Sequence, residues 1–383
     1  KYGFDVDPDA VVEDLPVGVQ QRVEIIKALI RDAEVLILDE PTAVLTPRET
    51  DELLAIMRQL TSDGKGVVFI SHKLREVKAV SDVITVIRRG KVMGQAEPSA
   101  STTELAALMV GRSVSLTLGR EAATPGEETF RVENLSVLSG NGQAVVNGLS
   151  FGIAKGEILA VAGVQGNGQT ELTEAIMGLQ DHVTGSIRLD GRELVGMKTS
   201  RIIDSGVGFV PEDRSVDGLV GTFSVAENLV LNQYNEPPFA RGLSMKPSVV
   251  AANADAKITE FDIRTQSAAA LAGTLSGGNQ QKVVMARELS RPLSLFGSIE
   301  FLHRRIIAER DAGTPVMIVS TELDEVLELG DRIAVLYGGR LMGIVPGGTS
   351  RNVLGLMMAG MTAEEALARE AASEENNTEG GAL

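Results

Sequence analysis

The chain repeats itself, and no other feature constrains its fold as tightly. Leu15–Leu29, reading Leu-Pro-Val-Gly-Val-Gln-Gln-Arg-Val-Glu-Ile-Ile-Lys-Ala-Leu, returns 260 positions later as Leu275–Leu289, Leu-Ser-Gly-Gly-Asn-Gln-Gln-Lys-Val-Val-Met-Ala-Arg-Glu-Leu. Val67–Val77 resembles Val316–Val326, and Asp82–Lys91 resembles Asp331–Arg340, each 249 positions on. Matches in one order at near-constant spacing mean two related domains in tandem. The spacing falls by 11 between the first match and the later ones. Aligning Arg31 with Arg291 and Leu36 with Phe296 puts the loss between Phe296 and Gly297, opposite Ile37–Pro47 of the first copy. The second copy is therefore expected to lack most of one central buried strand.

Projected backwards, Phe130 of the second copy maps about 130 residues before Leu15, so the first copy is expected to start in mid-domain. The expected organisation is the C-terminal part of a first copy over residues 1–112, a linker over 113–129, a second copy over 130–360 and an acidic tail over 361–383. The copies meet in Pro98–Glu128, where Ser, Thr, Gly, Ala and Pro cluster as in a linker. Thr362–Leu383, rich in Glu, Ala, Asn and Gly, is expected to be a frayed helix followed by a solvated tail.

Composition removes several function classes. The 52 Asp+Glu against 36 Lys+Arg give a formal charge of −16, which argues against a nucleic-acid partner, since that needs a concentrated positive surface. Ten Phe, three Tyr and no Trp leave few platforms for stacking single strands. The absence of cysteine excludes a disulfide framework, thiolate catalysis and Cys-ligated zinc. No run of 18 apolar residues is present to span a bilayer.

Three segments carry chemistry. Glu157–Ala162 is a short apolar run suited to a buried parallel strand, and it feeds Gly163-Val-Gln-Gly-Asn-Gly-Gln-Thr170 and then a helix-forming stretch from Glu171. Strand, glycine loop and helix form a phosphate cradle, because glycines let backbone N–H groups face an anion at a positive helix end. Gly163, Gly168 and Thr170 fit G-x-x-x-x-G-K-[ST], but Gln169 stands where lysine is expected. Val35–Leu38 is a second buried-type strand, and it ends in Asp39-Glu40, an acid pair placed to hold Mg²⁺ and to polarise a water. His72, leaving the next strand after Ser71, could hydrogen-bond a terminal phosphate. Leu275-Ser-Gly-Gly-Asn279 opens a helix, with Ser276 as N-cap and Gly277 and Gly278 leaving room for a phosphate. Pro16 and Val17 replace Ser276 and Gly277 in the first copy. His182 and His303 have no partner pattern and read as surface residues.

The order of these segments resembles the ATP-binding cassette family over about residues 1–112 and 130–345. The glycine loop is similar to Walker A, Leu275–Asn279 to the signature, Val35–Glu40 to Walker B and His72 to the switch histidine. The tandem arrangement and Pro211–Leu219 resemble ATPase subunits of simple-sugar and nucleoside importers, and Gly166-Asn-Gly168-Gln169 leans toward the nucleoside branch. The resemblance implies an α/β P-loop fold of two cassettes, each with a RecA-like parallel sheet core, an antiparallel β part and a helical signature subdomain. It implies ATP and Mg²⁺ as cofactors, with Glu40 and His72 catalytic and Asp39 and Thr170 holding the metal. Nucleotide contacts fall to Gly163, Val164, Gln165, Gly166, Asn167, Gly168, Gln169, Thr170 and Glu171, and to Leu275, Ser276, Gly277, Gly278, Asn279 and Gln280. It further implies integral-membrane permease partners, indirectly an extracytoplasmic substrate-binding protein, and a peripheral place on the cytoplasmic face of the plasma (inner) membrane.

In that family two cassettes close head to tail, and each ATP lies between one Walker A and the opposite signature. The geometry sorts the departures. One site would join Asp39, Glu40 and His72 to Ser276–Asn279, all of competent identity. The other would have Gln169 for lysine, Thr321 for histidine, and Pro16 and Val17 in the facing signature. Glu212 stands where many cassettes place a glutamine that senses Mg²⁺ and the permease, and an acid there repels phosphate. Two other classes stay open: a soluble tandem cassette acting on ribosomes or DNA, and a non-enzymatic remnant that keeps only the interaction surfaces. The Walker A partner of the competent site would precede Lys1, so the 383 residues alone are expected to show negligible phosphate release from ATP. Substantial turnover that depends on Glu40 would contradict this.

Overall fold

A computed structural model of the chain describes residues 7–12, 17–30, 33–42, 45, 47–71, 73–88, 90–110, 121–211, 214–242, 244–298 and 303–379. The chain divides into two compact units, Lys1–Gly119 and Arg120–Leu383.

The first unit runs α1 (Val17–Ile30), β1 (Val35–Asp39), α2 (Pro47–Ser62), β2 (Gly66–Ile70), α3 (Leu74–Val80), β3 (Ile84–Arg88), β4 (Lys91–Ala96) and α4 (Thr102–Val110). β1 and β2 pair in parallel with Leu36 opposite Val67, and β3 and β4 form an antiparallel pair. α2 places Leu53, Leu54, Met57 and Leu60 at helical spacing, and all four are buried. Leu53, Leu54 and Met57 pack with Ile25, Leu38, Val67 and Phe69. The other face of the β1–β2 pair, carrying Val35, Ile37, Val68 and Ile70, is exposed. α4 lies inside the stretch that reads as a linker. Ser101 Oγ accepts the Glu104 N–H at 3.1 Å, and Leu105 is fully buried against Ile84 and Val86. A hydroxyl ahead of a helix satisfies one of its orphan N–H groups, so the Ser-Thr opening caps a helix rather than marking a loop.

The second unit opens with β5 (Glu128–Leu138), β6 (Ala144–Ala154), β7 (Ile158–Ala162), α5 (Gln169–Ile176), β8 (Val183–Leu189), β9 (Arg192–Glu193), α6 (Thr199–Asp204) and β10 (Val207–Val210). After a π-helical turn at Arg214–Gly218 come α7 (Val225–Leu229), β11 (Ala240–Arg241), β12 (Ser244–Met245), α8 (Pro247–Glu260) and α9 (Gly277–Glu288). It ends with β13 (Leu295–Ser298), α10 (His303–Asp311), β14 (Val316–Ser320), α11 (Leu323–Leu329), β15 (Arg332–Tyr337), β16 (Arg340–Pro346), α12 (Arg351–Met358) and α13 (Ala363–Glu379).

The main sheet has the order β10-β13-β14-β7-β15-β16, parallel except for β16 at its edge. Every residue of β7 and β14 is buried, as continuous apolar runs in a parallel sheet must be. One face packs through Leu159, Met317 and Val319 against α5 and the antiparallel sheet β6-β5-β8-β9. The other packs through Ala160, Ala162 and Val335 against α11, α12 and α13. This is the expected α/β architecture of parallel core, antiparallel part and helical insertion.

The central strand expected to be missing is present. β13 pairs with β10 and β14, with Phe296 fully buried opposite Val316, and the strand continues through Gly297 and Ser298. Ladder hydrogen bonds come from the backbone, so Gly297 and Ser298 can stand where the first copy has Ile37 and Leu38. The repeat also extends further than the matched segments. Ser350 Oγ accepts the Val353 N–H at 3.1 Å and Leu354 is fully buried, 249 positions after Ser101 and Leu105. The acidic C-terminal segment folds back at its start: Thr362 and Glu365 cap α13 reciprocally, Ala366 is fully buried, and Glu370 hydrogen-bonds Ser350.

His303 departs from its reading as a surface residue. It is half-buried at the start of α10, with Nδ1 3.6 Å from Glu328 Oε2. Burial holds its pKa below the usual value although Glu328 pulls the other way. With the folded-state pKa below 6.5, the unfolded chain binds the proton first as pH falls, so stability drops from 6.5 downward until the folded-state pKa is passed. Replacing His303 by Gln removes this term. Urea midpoints measured between about pH 5 and 7.5 should fall less steeply on the acid side in the variant than in the parent chain.

Candidate functional site

β7 delivers the chain from the middle of the main sheet into the glycine loop, and α5 starts at Gln169. Gly168 has φ +98°, and a Cβ there would lie 2.7 Å from the Val145 carbonyl oxygen, so only glycine fits. Asn167 anchors the loop. Its Oδ1 accepts the Gly338 N–H at 2.7 Å, its carbonyl accepts the Gly339 N–H at 3.2 Å, and its Nδ2 donates to the Val164 carbonyl at 3.0 Å. The loop is thereby tied to the turn between β15 and β16, contacts that the glycine spacing alone does not reveal.

Gln169, at the lysine position, is 6% exposed. Its Nε2 donates to the Val164 carbonyl at 3.2 Å, and its Oε1 is buried with no hydrogen-bond partner among the described residues. The amide closes the loop from beneath rather than reaching outward. Gln165, Gly166 and Thr170 are exposed, and Glu171 is half-buried. From Gly163 to Glu171 the only formal charge is that of Glu171, so an anion would be held by backbone N–H groups and the helix end. The exposed Thr170 hydroxyl suits a hydrated Mg²⁺ beside such an anion.

At the signature-like segment Ser276 sits at the N-cap position of α9, but its hydroxyl caps no backbone N–H. It accepts from Asn279 Nδ2 at 2.9 Å instead, and Asn279 Oδ1 accepts the Arg264 N–H at 2.8 Å. The expected cap is therefore replaced by a side-chain relay that fastens the preceding loop to the helix. Leu275 and Gly277 are half-buried, and a Cβ on Gly278 would meet nothing within 4 Å. Gln280 is buried and donates to the Ala272 carbonyl at 3.3 Å.

In the first unit Asp39 ends β1, exposed and opposite Ile70. Glu40 follows with φ +44°, an uncommon left-handed conformation for a non-glycine residue, and its N–H donates to the Ile70 carbonyl at 2.9 Å. His72, and likewise Pro16 and Glu212, lie outside the described residues. Sequence reasoning missed a cluster beside the acid pair. Fully buried Thr42 donates through Oγ1 to Glu76 Oε2 at 2.6 Å, and Lys73 Nζ lies 3.4 Å from the Thr42 carbonyl and 4.0 Å from Glu76. A signal was available: Glu76 matches Glu325 at the 249-position spacing. Glu325 takes its hydrogen bond from Ser320 Oγ at 2.8 Å.

Comparison with known proteins identifies the family. The family model described as ABC transporter matches residues 2–43 and 146–296. The nucleoside import ATP-binding protein NupA of Lactococcus lactis subsp. cremoris is 45% identical over 373 residues, covering 94% of this chain and 74% of that protein. The guanosine import ATP-binding protein NupO of Bacillus subtilis is 42% identical over 379 residues, covering 96% and 74%. The ribose import ATP-binding protein RbsA of Chromobacterium violaceum is 38% identical over 357 residues, covering 88% and 68%. The chain therefore belongs to the ABC transporter family, as one of its ATPases.

Proposed function

We propose that this chain energises the import of nucleosides or simple sugars through a separate membrane permease, using one competent and one degenerate ATP site. The importer part rests on relatives that are import ATP-binding proteins for nucleosides, guanosine and ribose. No helix among the described residues is long and apolar enough to cross a membrane, so passage of a solute would fall to partner subunits. The chain would then sit peripherally on the cytoplasmic face of the membrane, with an extracytoplasmic binding protein presenting the solute to the permease.

The buried Gln169 amide carries the asymmetry. Folded back on the Val164 carbonyl, it leaves the second glycine loop without the cation that phosphoryl transfer uses. That loop would hold a nucleotide statically, with Thr170 beside the Mg²⁺. In the competent site Glu40 would polarise the attacking water, His72 would contact the terminal phosphate, and Asp39 would hold Mg²⁺. Ser276, Gly277, Gly278 and Asn279 would close on the phosphates from the opposite cassette. Mg²⁺ would neutralise charge developing on the phosphates.

In the transporter reconstituted with its permease, Glu40→Gln should lower phosphate release and solute uptake together, by about 100-fold or more. Gln169→Ala should leave both within about threefold, because the second loop is assigned no chemistry. Equal losses in the two variants would reject the asymmetry, while nucleotide hydrolysis indifferent to every nucleoside and sugar would reject the importer reading.

A further inference from the structure

A cavity of about 740 Å³ opens beside the signature-like segment, with Arg264, Thr265, Gln266, Thr274, Ser276 and Asn279 among its walls. Nothing in the motif assigns a role to the first three. Arg264 is exposed, and its guanidinium makes no hydrogen bond or ion pair with any described residue. Its backbone is nevertheless fixed, because its N–H donates to Asn279 Oδ1 while Asn279 Nδ2 donates to Ser276 Oγ. The backbone that carries this cation is thus held at constant spacing from the signature serine by a residue of the signature itself.

The repeat supplies an independent observation. Phe261-Asp-Ile-Arg264 matches Phe4-Asp-Val-Asp7 of the first copy at a spacing of 257, with three residues fewer before Leu15 than before Leu275, so the position of Arg264 is an acid there. From Arg264 to Gln280 the arginine is the sole charged residue, whereas the first copy carries Asp7, Asp9, Glu13 and Asp14 ahead of its helix. The sign of charge beside the signature is inverted between the copies. It is positive in the copy with Ser276-Gly-Gly278 and negative in the copy with Pro16-Val17. A polyanion is drawn to the first and repelled by the second.

We propose that Arg264 is a nucleotide-contacting residue, supplied with the signature, that pairs with the polyphosphate of a nucleoside triphosphate lying across this cavity. A guanidinium suits that contact because its planar fork meets phosphate oxygens in pairs. Thr265 and Gln266 offer uncharged donors and acceptors along the same wall. This rests on the proposed ATP-binding role and adds to it a cause of asymmetry separate from Gln169: the acidic approach of the first copy disfavours triphosphate before any catalytic group is involved.

The test is hydrogen–deuterium exchange of the transporter reconstituted with its permease and titrated with Mg·ATP, followed separately at residues 264–282 and 163–176. Protection at 264–282 should saturate in the parent chain and weaken about tenfold in Arg264→Glu, roughly the loss of one charge-assisted hydrogen bond. Arg264→Lys, which retains the charge but not the fork, should fall between the parent and Arg264→Glu, and unchanged protection at 163–176 in both variants shows that the fold is intact. Inorganic tripolyphosphate should reproduce the protection at 264–282. An Arg264→Glu chain with unchanged affinity there would overturn the assignment while leaving the ATP reading intact. Absence of protection at both segments in the parent chain would overturn both.

Discussion

The parallel ladder on either side of β7 is the constraint from which the rest follows. A parallel sheet puts the carboxyl ends of its strands on one edge, and chain leaving that edge must turn into a helix. β7 pairs with β14 through Ile158–Ala162 and with β15 through Leu159–Ala162. Its register therefore fixes where the glycine loop emerges. The loop is then fastened to the far end of β15 through Asn167 and the Gly338–Gly339 turn. Its shape is set by two neighbouring elements of the sheet rather than by its glycines alone.

That fastening explains how the lysine position can hold glutamine without loss of the loop. The site beneath the loop is buried and offers the Val164 carbonyl as an acceptor. A neutral amide can be buried there at far lower cost than an ammonium, which would also need an anion to offset its desolvation. Asn167 supplies the structural bonds, so residue 169 is free to lose its charge while the backbone cradle persists. Conformation and electrostatics are separable here, and only the electrostatics has changed.

Much of this was legible in the sequence because it rests on local rules. The repeat announced two related units, the glycine spacing announced the loop between β7 and α5, and the apolar runs announced buried parallel strands. What escaped reading depends on contacts distant in sequence. Asn167 meets the 338–339 turn, and Thr42 meets Glu76, through pairings that no local pattern encodes. Ser276 looked like an ordinary cap, but Asn279 competes for its hydroxyl and redirects it. α4 was hidden because serine and threonine serve both loops and caps, and only the burial of Leu105 decides between them. β13 was hidden for the opposite reason, since Gly297 and Ser298 carry no strand signal and are held by the strands on either side.

The two copies respond differently to one physical demand, that a carboxylate packed near the sheet edge needs a donor. In the first unit Glu76 takes its hydrogen bond from Thr42, in the segment that follows the acid pair. The start of α3 and the chain leaving Glu40 are therefore mechanically joined there, and Lys73 adds a second tie. The second copy has no counterpart of that segment, and Glu325 bonds instead to Ser320 at the end of its own neighbouring strand. Ser71, the equivalent of Ser320, makes among the described residues the local bond in which its hydroxyl accepts the Lys73 N–H. Each unit thus satisfies the same carboxylate from what it contains. The second does so from the strand itself, and among the described residues the link between an acid-bearing strand end and the following helix is seen in the first unit alone.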